Sequence, residues 1–128
     1  MIEQGIKEEL EALTGLEAYP TILPAGLQDG VVYRLISDPE IEVGLTRVNL
    51  IRARYQITFA KLNGYGQVKA WERQLWAKWR EIRHGQIGET PVQYVERGQV
   101  LEDVIPLTDH QNIHTLTRDY VIYYRESQ

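Results

Sequence analysis

Asn49-Leu50-Ile51-Arg52-Ala53-Arg54-Tyr55-Gln56-Ile57-Thr58-Phe59-Ala60-Lys61-Leu62 is the stretch that decides the fold. Ile51, Ala53, Tyr55, Ile57 and Phe59 alternate with Arg52, Arg54, Gln56 and Thr58. Successive side chains of a strand point to opposite faces, so this period of two predicts a long antiparallel strand with one buried side. Upstream, Val31 to Ser37 is rich in β-branched and aromatic residues and predicts a second strand. The connection between them, Asp38 to Val48, is longer than an economical hairpin turn. In it Ile41, Val43 and Leu45 alternate with Glu40, Glu42, Gly44 and Thr46, so it can extend with one apolar edge. Two readings stand: an arm that orders when it joins a neighbouring subunit, or a twisted continuation of the two-stranded ribbon.

Outward from this core the chain turns helical. Ile2, Ile6, Leu10 and Leu13 make one stripe of an amphipathic helix over residues 2 to 14, with Gly15 as its stop. Tyr19-Pro20 and Leu23-Pro24-Ala25-Gly26 read as a connector that runs extended and then turns. Asn63-Gly64 closes the long strand, and a second helix is expected from Tyr65 to Arg83, ended by Gly85. Its Val68, Trp71, Leu75, Trp79 and Ile82 share an arc of roughly 80° at about 100° per residue, a core face. Three further strands follow at Val92 to Val95, Val100 to Leu107 and Ile113 to Tyr124, separated by Arg97-Gly98 and by polar Thr108 to Asn112. In the last, Leu116, Tyr120, Ile122 and Tyr124 share a face with Arg118, which implies partial burial.

The order α-β-β-α-β-β-β predicts an α+β fold: a mostly antiparallel sheet with two helices packed on one face, in a single domain spanning residues 1–128. The face left without helices, or the edge strands, would seek a partner by assembly.

Composition narrows the function classes. With 43% hydrophobic and 25% charged residues, the chain can bury a core and remain soluble. Its 14 Lys and Arg against 18 Asp and Glu give a net charge of −4, a balance that does not attract a phosphate backbone. Cysteine is absent, which removes disulfides, thiolate zinc sites and Cys nucleophiles. Met1 to Leu13 carries Glu3, Glu8, Glu9 and Glu11 and is not a secretory signal. No stretch approaches the roughly 20 apolar residues of a membrane span.

Catalytic chemistry finds little purchase. Ser37 and Ser127 are the serines, and neither lies in a Gly-x-Ser-x-Gly elbow. His110 and His114 beside Asp109 have a helical metal-binding spacing, but Pro106, Thr108, Asn112 and Thr115 make the segment a poor helix. A solvated loop is the better reading there, and His84 is expected to meet the dipole at the C-terminus of the second helix. Glu102 and Asp103 point to opposite faces of a strand, and Glu8-Glu9 reads as a solvated charge run. Gly64-Tyr65-Gly66 lacks the spacing of a phosphate loop. No catalytic residue, cofactor or metal is expected.

One constellation remains. Trp76 lies roughly 60° beyond the core arc, and Lys69, Arg73, Arg80 and Arg83 occupy the same side. It is either a Trp at the core margin with guanidinium groups stacked over it, or a contact patch for an acidic neighbour.

Tyr19-Pro20, Leu23-Pro24, Val31-Val32-Tyr33-Arg34-Leu35-Ile36-Ser37 and Arg52-Ala53-Arg54-Tyr55-Gln56-Ile57-Thr58-Phe59-Ala60 together resemble the tail-completion proteins of long-tailed bacteriophages and prophages, relatives of the tail-to-head joining and tail-terminator proteins. The likeness continues through Gly66 to Arg83 and Thr115 to Tyr124, in outline nearly the whole chain, although family members commonly carry a polar or small-residue second helix where this one has Trp71, Trp76 and Trp79. The resemblance implies a non-enzymatic virion protein: an α+β subunit of a ring, usually hexameric. Such a ring sits at the head-proximal end of the tail tube, ends tube growth and docks the head connector. The implied partners are further copies of the chain, the tail tube protein and head connector proteins, with DNA only passing through the lumen and no membrane. The implied location is the virion tail, after assembly in the host bacterial cytoplasm. Ile41, Glu42, Val43, Leu45 and Arg47 of the connection, and Lys69, Arg73, Trp76, Arg80 and Arg83 of the helix, are the candidate oligomer or tube contacts. The competing readings are a small α+β ligand-binding or adaptor domain of a non-viral cytoplasmic protein and, last, an enzyme centred on Asp109, His110 and His114.

Overall fold

The long alternating stretch forms the strand β4 (Thr46–Leu62), which buries Ile51, Ala53, Tyr55, Ile57 and Phe59 and leaves Arg52 and Arg54 in solvent. The computed structural model describes residues 2–43, 46–108 and 110–125, and the side chains of all these except 42, 43 and 46–48. Among the described residues the chain is α+β, with α1 (Ile2–Thr14), β1 (Ala18–Pro20), β2 (Gly30–Ser37), β3 (Glu40–Val43), β4, α2 (Tyr65–Trp79), β5 (Arg83–Ile87), β6 (Thr90–Thr108) and β7 (Gln111–Arg125). The sheet runs β1-β2-β4-β7-β6-β5, with β3 paired to β4. All pairs are antiparallel except β1 with β2.

This order corrects the expected α-β-β-α-β-β-β at four points. Ala18–Pro20, read as connector, pairs in parallel with Val31–Tyr33 and makes a short edge strand. The Asp38 to Val48 connection is a paired ribbon: Glu40 lies opposite Ile51 and Val43 opposite Thr46, along the same side of β4 that β2 occupies. Asn49, at φ 55°, supports the register slip in that ribbon, a left-handed conformation that asparagine tolerates. The second helix stops at Trp79, short of the expected Arg83. Its last turn tightens through Ile82 N–H donating to Trp79 O at 3.1 Å, and His84, at φ 55°, turns the chain into β5. Pairing of β5 with β6 and full burial of Ile87 outweigh one more helical turn, so exposed His84 sits on a strand and not at a helix end.

The fourth correction concerns Arg97-Gly98, read as a separator between two strands. The chain passes through it as a bulge in one continuous β6, with the register slipping between Arg97 and Val100. Gly98 packs closely there, since a Cβ would lie 3.1 Å from Cβ of Asp119, and its carbonyl accepts from Arg118 Nη1 at 2.9 Å.

One buried cluster unites the helices with the sheet. Ile2, Ile6 and Leu10 of α1 and Val68, Trp71, Leu75 and Trp79 of α2 share it with the apolar side of β4 and with Leu116, Tyr120 and Ile122 of β7. Phe59 meets Trp71 at 6.2 Å between ring centroids, and Trp79 meets Tyr120 edge-on at 5.1 Å. Gly5 lets α1 lie directly on the β5–β6 turn, where a Cβ would stand 2.6 Å from the Ile87 carbonyl oxygen. Glu9 departs from the solvated reading, for it accepts from Trp79 Nε1 at 2.9 Å and from the Gly88 N–H at 3.2 Å, while Glu8 is exposed. Among the described residues no helix is long and apolar enough to cross a membrane.

Candidate assembly surfaces

On α2 the helical step places Trp76 at the core margin, half-buried and 6.3 Å from the Tyr120 ring. Arg80 and Arg83 join it around a hollow of about 300 Å³ whose other walls include Tyr94 and Arg97 of β6. The cation stacked over the indole is Arg97, 5.1 Å from the ring centre, and Arg83 stacks over Tyr94 at 5.4 Å. Sequence reasoning missed both β6 residues, because the pairing that brings β6 to α2 leaves no local signal. Lys69 does not belong to the patch: it stands over Tyr65 at 4.5 Å and pairs with Glu102 at 3.1 Å, which raises its pKa through the hydrogen bonds with Tyr65 and Glu102. Arg73 is exposed on the outer side of the helix.

The connection residues separate in what can be described. Ile41 is half-buried opposite Leu50. The backbones of Glu42, Val43 and Arg47 are paired in the ribbon, and their side chains lie outside the described residues, as does Leu45 entirely.

A third surface carries the largest run of exposed apolar side chains. Beyond its bulge β6 presents Val100, Leu101, Val104, Ile105 and Leu107 at 41–67% exposure. Sequence reasoning identified this segment as a strand and not as a surface, because alternation hides when both faces are apolar. Its inner side pairs with β7, whereas β5 pairs with β6 only as far as Tyr94. From Val95 to Thr108 the outer backbone edge has no partner strand among the described residues. Glu102 and Asp103 interrupt the run on opposite faces, opposite Leu116 and Thr115.

Of the residues weighed for catalysis, His114 lies on β7 with its ring 5.7 Å from that of Tyr65, and His110 sits in the turn before it at φ 69°. With one imidazole on the turn and the other on the strand, the pair lacks its helical spacing, and among the described residues no cluster of His, Asp and Glu could hold a metal. Asp109 and Ser127 lie outside the described residues, and Ser37 is exposed at the end of β2. A cavity of about 630 Å³ opens between the start of α1, β2 and the β6–β7 pair, with Glu3, Leu35, Tyr55, Tyr124 and Arg125 among its walls. Tyr55 donates to Glu3 across it at 3.4 Å, and burial with the neighbouring Glu3 carboxylate pushes the Tyr55 phenol well above its ordinary range.

Neither a family model nor a curated protein matches this chain. Among solved structures, one chain whose name states no function aligns over 98% of this chain and 92% of its own length, at 13% identity and a TM-score of 0.46. A likeness this loose carries no functional argument.

Proposed function

We propose that this chain is a structural ring subunit of the tail-completion type, which caps the head-proximal end of a phage tail tube and receives the head connector. The observation that carries the reading is the outer strand β6, whose five exposed apolar side chains border a backbone edge that has no partner strand among the described residues. A long exposed apolar edge is costly in a monomer, since water must solvate it and any sticky strand can add to it. An assembling subunit turns that liability into an interface. On this reading both helices lie on one face of the sheet, so the edges stay accessible to neighbouring copies. The net charge of −4 suits a ring through which DNA passes without adhering. The resemblance of the Tyr19-Pro20, Val31–Ser37 and Arg52–Ala60 segments to tail-completion proteins supports the same role. The test is to add the purified chain to assembling tail tube protein and image the product: capped tubes of restricted length are expected, and bare tubes of unchanged length would overturn the proposal.

A second reading, a small ligand-binding α+β domain, is favoured by the cavity of about 630 Å³, a volume in the usual range of small-molecule sites. A ligand that raises the thermal midpoint of a stable monomer would establish it.

A further inference from the structure

We infer that the free edge of β6 in one copy is filled by the free edge of β2 and β3 in the next, joining subunits head to tail into one continuous antiparallel sheet. The inference rests on the ring reading above and names the surfaces that would make the ring. Along β2-β4-β7-β6 every neighbour is antiparallel, so the first and last strands of this set of four run in opposite directions. A second copy presenting β2 to β6 with the same face up therefore continues the alternation.

Among the described residues both edges are open, β6 from Val95 to Thr108 and the other edge over two shorter segments. β1 covers β2 only at Val31–Tyr33 and no strand among the described residues pairs Arg34–Ser37 on that side, and β3 prolongs the same side of β4 from Glu40 to Val43. Leu35 and Ile36 are 39% and 38% exposed there, and Leu101, Val104 and Ile105 are 47–67% exposed on β6. Among the described residues each edge offers backbone without a partner strand flanked by apolar side chains, the material from which strand addition draws its affinity, with the Val104 N–H held by Asp103 Oδ1 at 2.8 Å until a strand replaces it.

Charge favours the β2 segment Arg34–Ser37, whose single charged side chain is Arg34, over a second β6. Pairing two β6 edges about a twofold axis would bring Glu102 and Asp103 of one copy against the same carboxylates of the other, and like charges across strands are unfavourable. Arg34, by contrast, lies opposite Gln56, on the face of the sheet that also carries Thr58, its neighbour Thr117 and, two residues along β7, Thr115, which faces Asp103. Arg34 and Asp103 thus stand on one face, and a head-to-tail register that sets the Arg34–Ser37 segment against Leu101–Ile105 brings these opposite charges together, with the carboxylates of Asp38 and Glu40 beyond the segment. Such a joint uses a different surface on each partner, and repetition closes into a ring when the rotation between copies allows.

The absence of native cysteine makes the test direct. An Ile36→Cys, Leu101→Cys double variant is treated with a short bis-maleimide, beside Leu101→Cys alone and a Gln74→Cys, Leu101→Cys control, while native mass is measured for each. A covalent ladder from the first variant, absent from both others, is expected. Efficient dimers from Leu101→Cys alone would overturn the inference in favour of β6 against β6. An oligomeric mass without the ladder would overturn the edge joint and leave the ring reading standing. A monomeric mass throughout would remove both.

Discussion

Glu72 of α2, only 3% exposed, lies with its Oε1 3.0 Å from Nε of Arg118 on β7. The contact is one of charge, for Arg118 Nε has no aligned hydrogen-bond acceptor. Glu72 also accepts from Arg97 at 3.1 Å and from the Tyr120 hydroxyl at 3.3 Å. Burial and the nearby Glu72 carboxylate raise the Tyr120 phenol far above its ordinary value, so it stays a donor at any ordinary pH. A buried carboxylate is tolerated only when partners of this kind compensate for lost hydration. The same cluster holds Arg97 over Trp76, and so links the core to the outer patch.

Removing the carboxylate leaves two guanidinium groups facing each other across the space it occupied. Glu72→Ala is expected to lower unfolding stability by on the order of 3 kcal/mol. Urea denaturation checks this, and a loss below about 0.5 kcal/mol would mean that solvent already compensates the arginines.

This cluster also marks how far the sequence could be read. The period of two in Asn49–Leu62 and the stripe in Ile2–Leu13 were legible because each is local and dictates its own buried side. Arg118, by contrast, reads as a sign of partial exposure on a face whose Leu116, Tyr120 and Ile122 are at most 4% exposed. Its buried partner Glu72 is 46 positions earlier on another element, and pairing at that distance leaves no pattern in the chain. The Gly98 bulge and the β5 strand were hidden for the same reason: tertiary pairing overrode a turn signal at Arg97-Gly98 and a helix signal at Arg80–Arg83. Of the candidate contacts, Trp76 and Arg80 were legible from the helical step, while Arg83, which reaches the same hollow from β5, Arg97 and the exposed β6 edge depend on strand pairing.

Asp29 gives a pH dependence with a definite sign. Burial opposes its charge, yet the Leu62 N–H at 2.8 Å and Lys61 at 3.0 Å hold its carboxyl below the ordinary value. A depressed folded-state pKa contributes stability above the unfolded value of about 3.9, lost as pH falls through the folded value. Asp29→Asn should therefore cost about 1 kcal/mol at pH 7, discounted for partial exposure, and less at pH 3. Equal losses at both pH values, read from urea midpoints, would show that the charge is irrelevant.

Trp76 and Trp79 should separate fold from assembly. Trp79 is fully buried and Trp76 is not. Trp79→Ala is expected to cost about 3–5 kcal/mol, whereas Trp76→Ala should cost about 1–2 kcal/mol and weaken self-association. Paired denaturation and sedimentation of the two variants decide it. Equal destabilisation would make Trp76 a core residue only.

On the ring proposal, the ribbon between β2 and β4 serves as a second contact between copies. Replacing Ile41, Val43 and Leu45 together by Ser should abolish ring formation and leave the circular dichroism spectrum of the monomer intact. Normal rings from the triple variant would remove the ribbon from the interface, and a molten monomer would assign it to the core.

The most direct measurement is the native mass of the purified chain from micromolar to millimolar concentration. A ring subunit predicts a shift from monomer to a single closed oligomer of fixed copy number as concentration rises. A monomeric mass across the whole range, with the β6 edge still exposed to solvent, would contradict it.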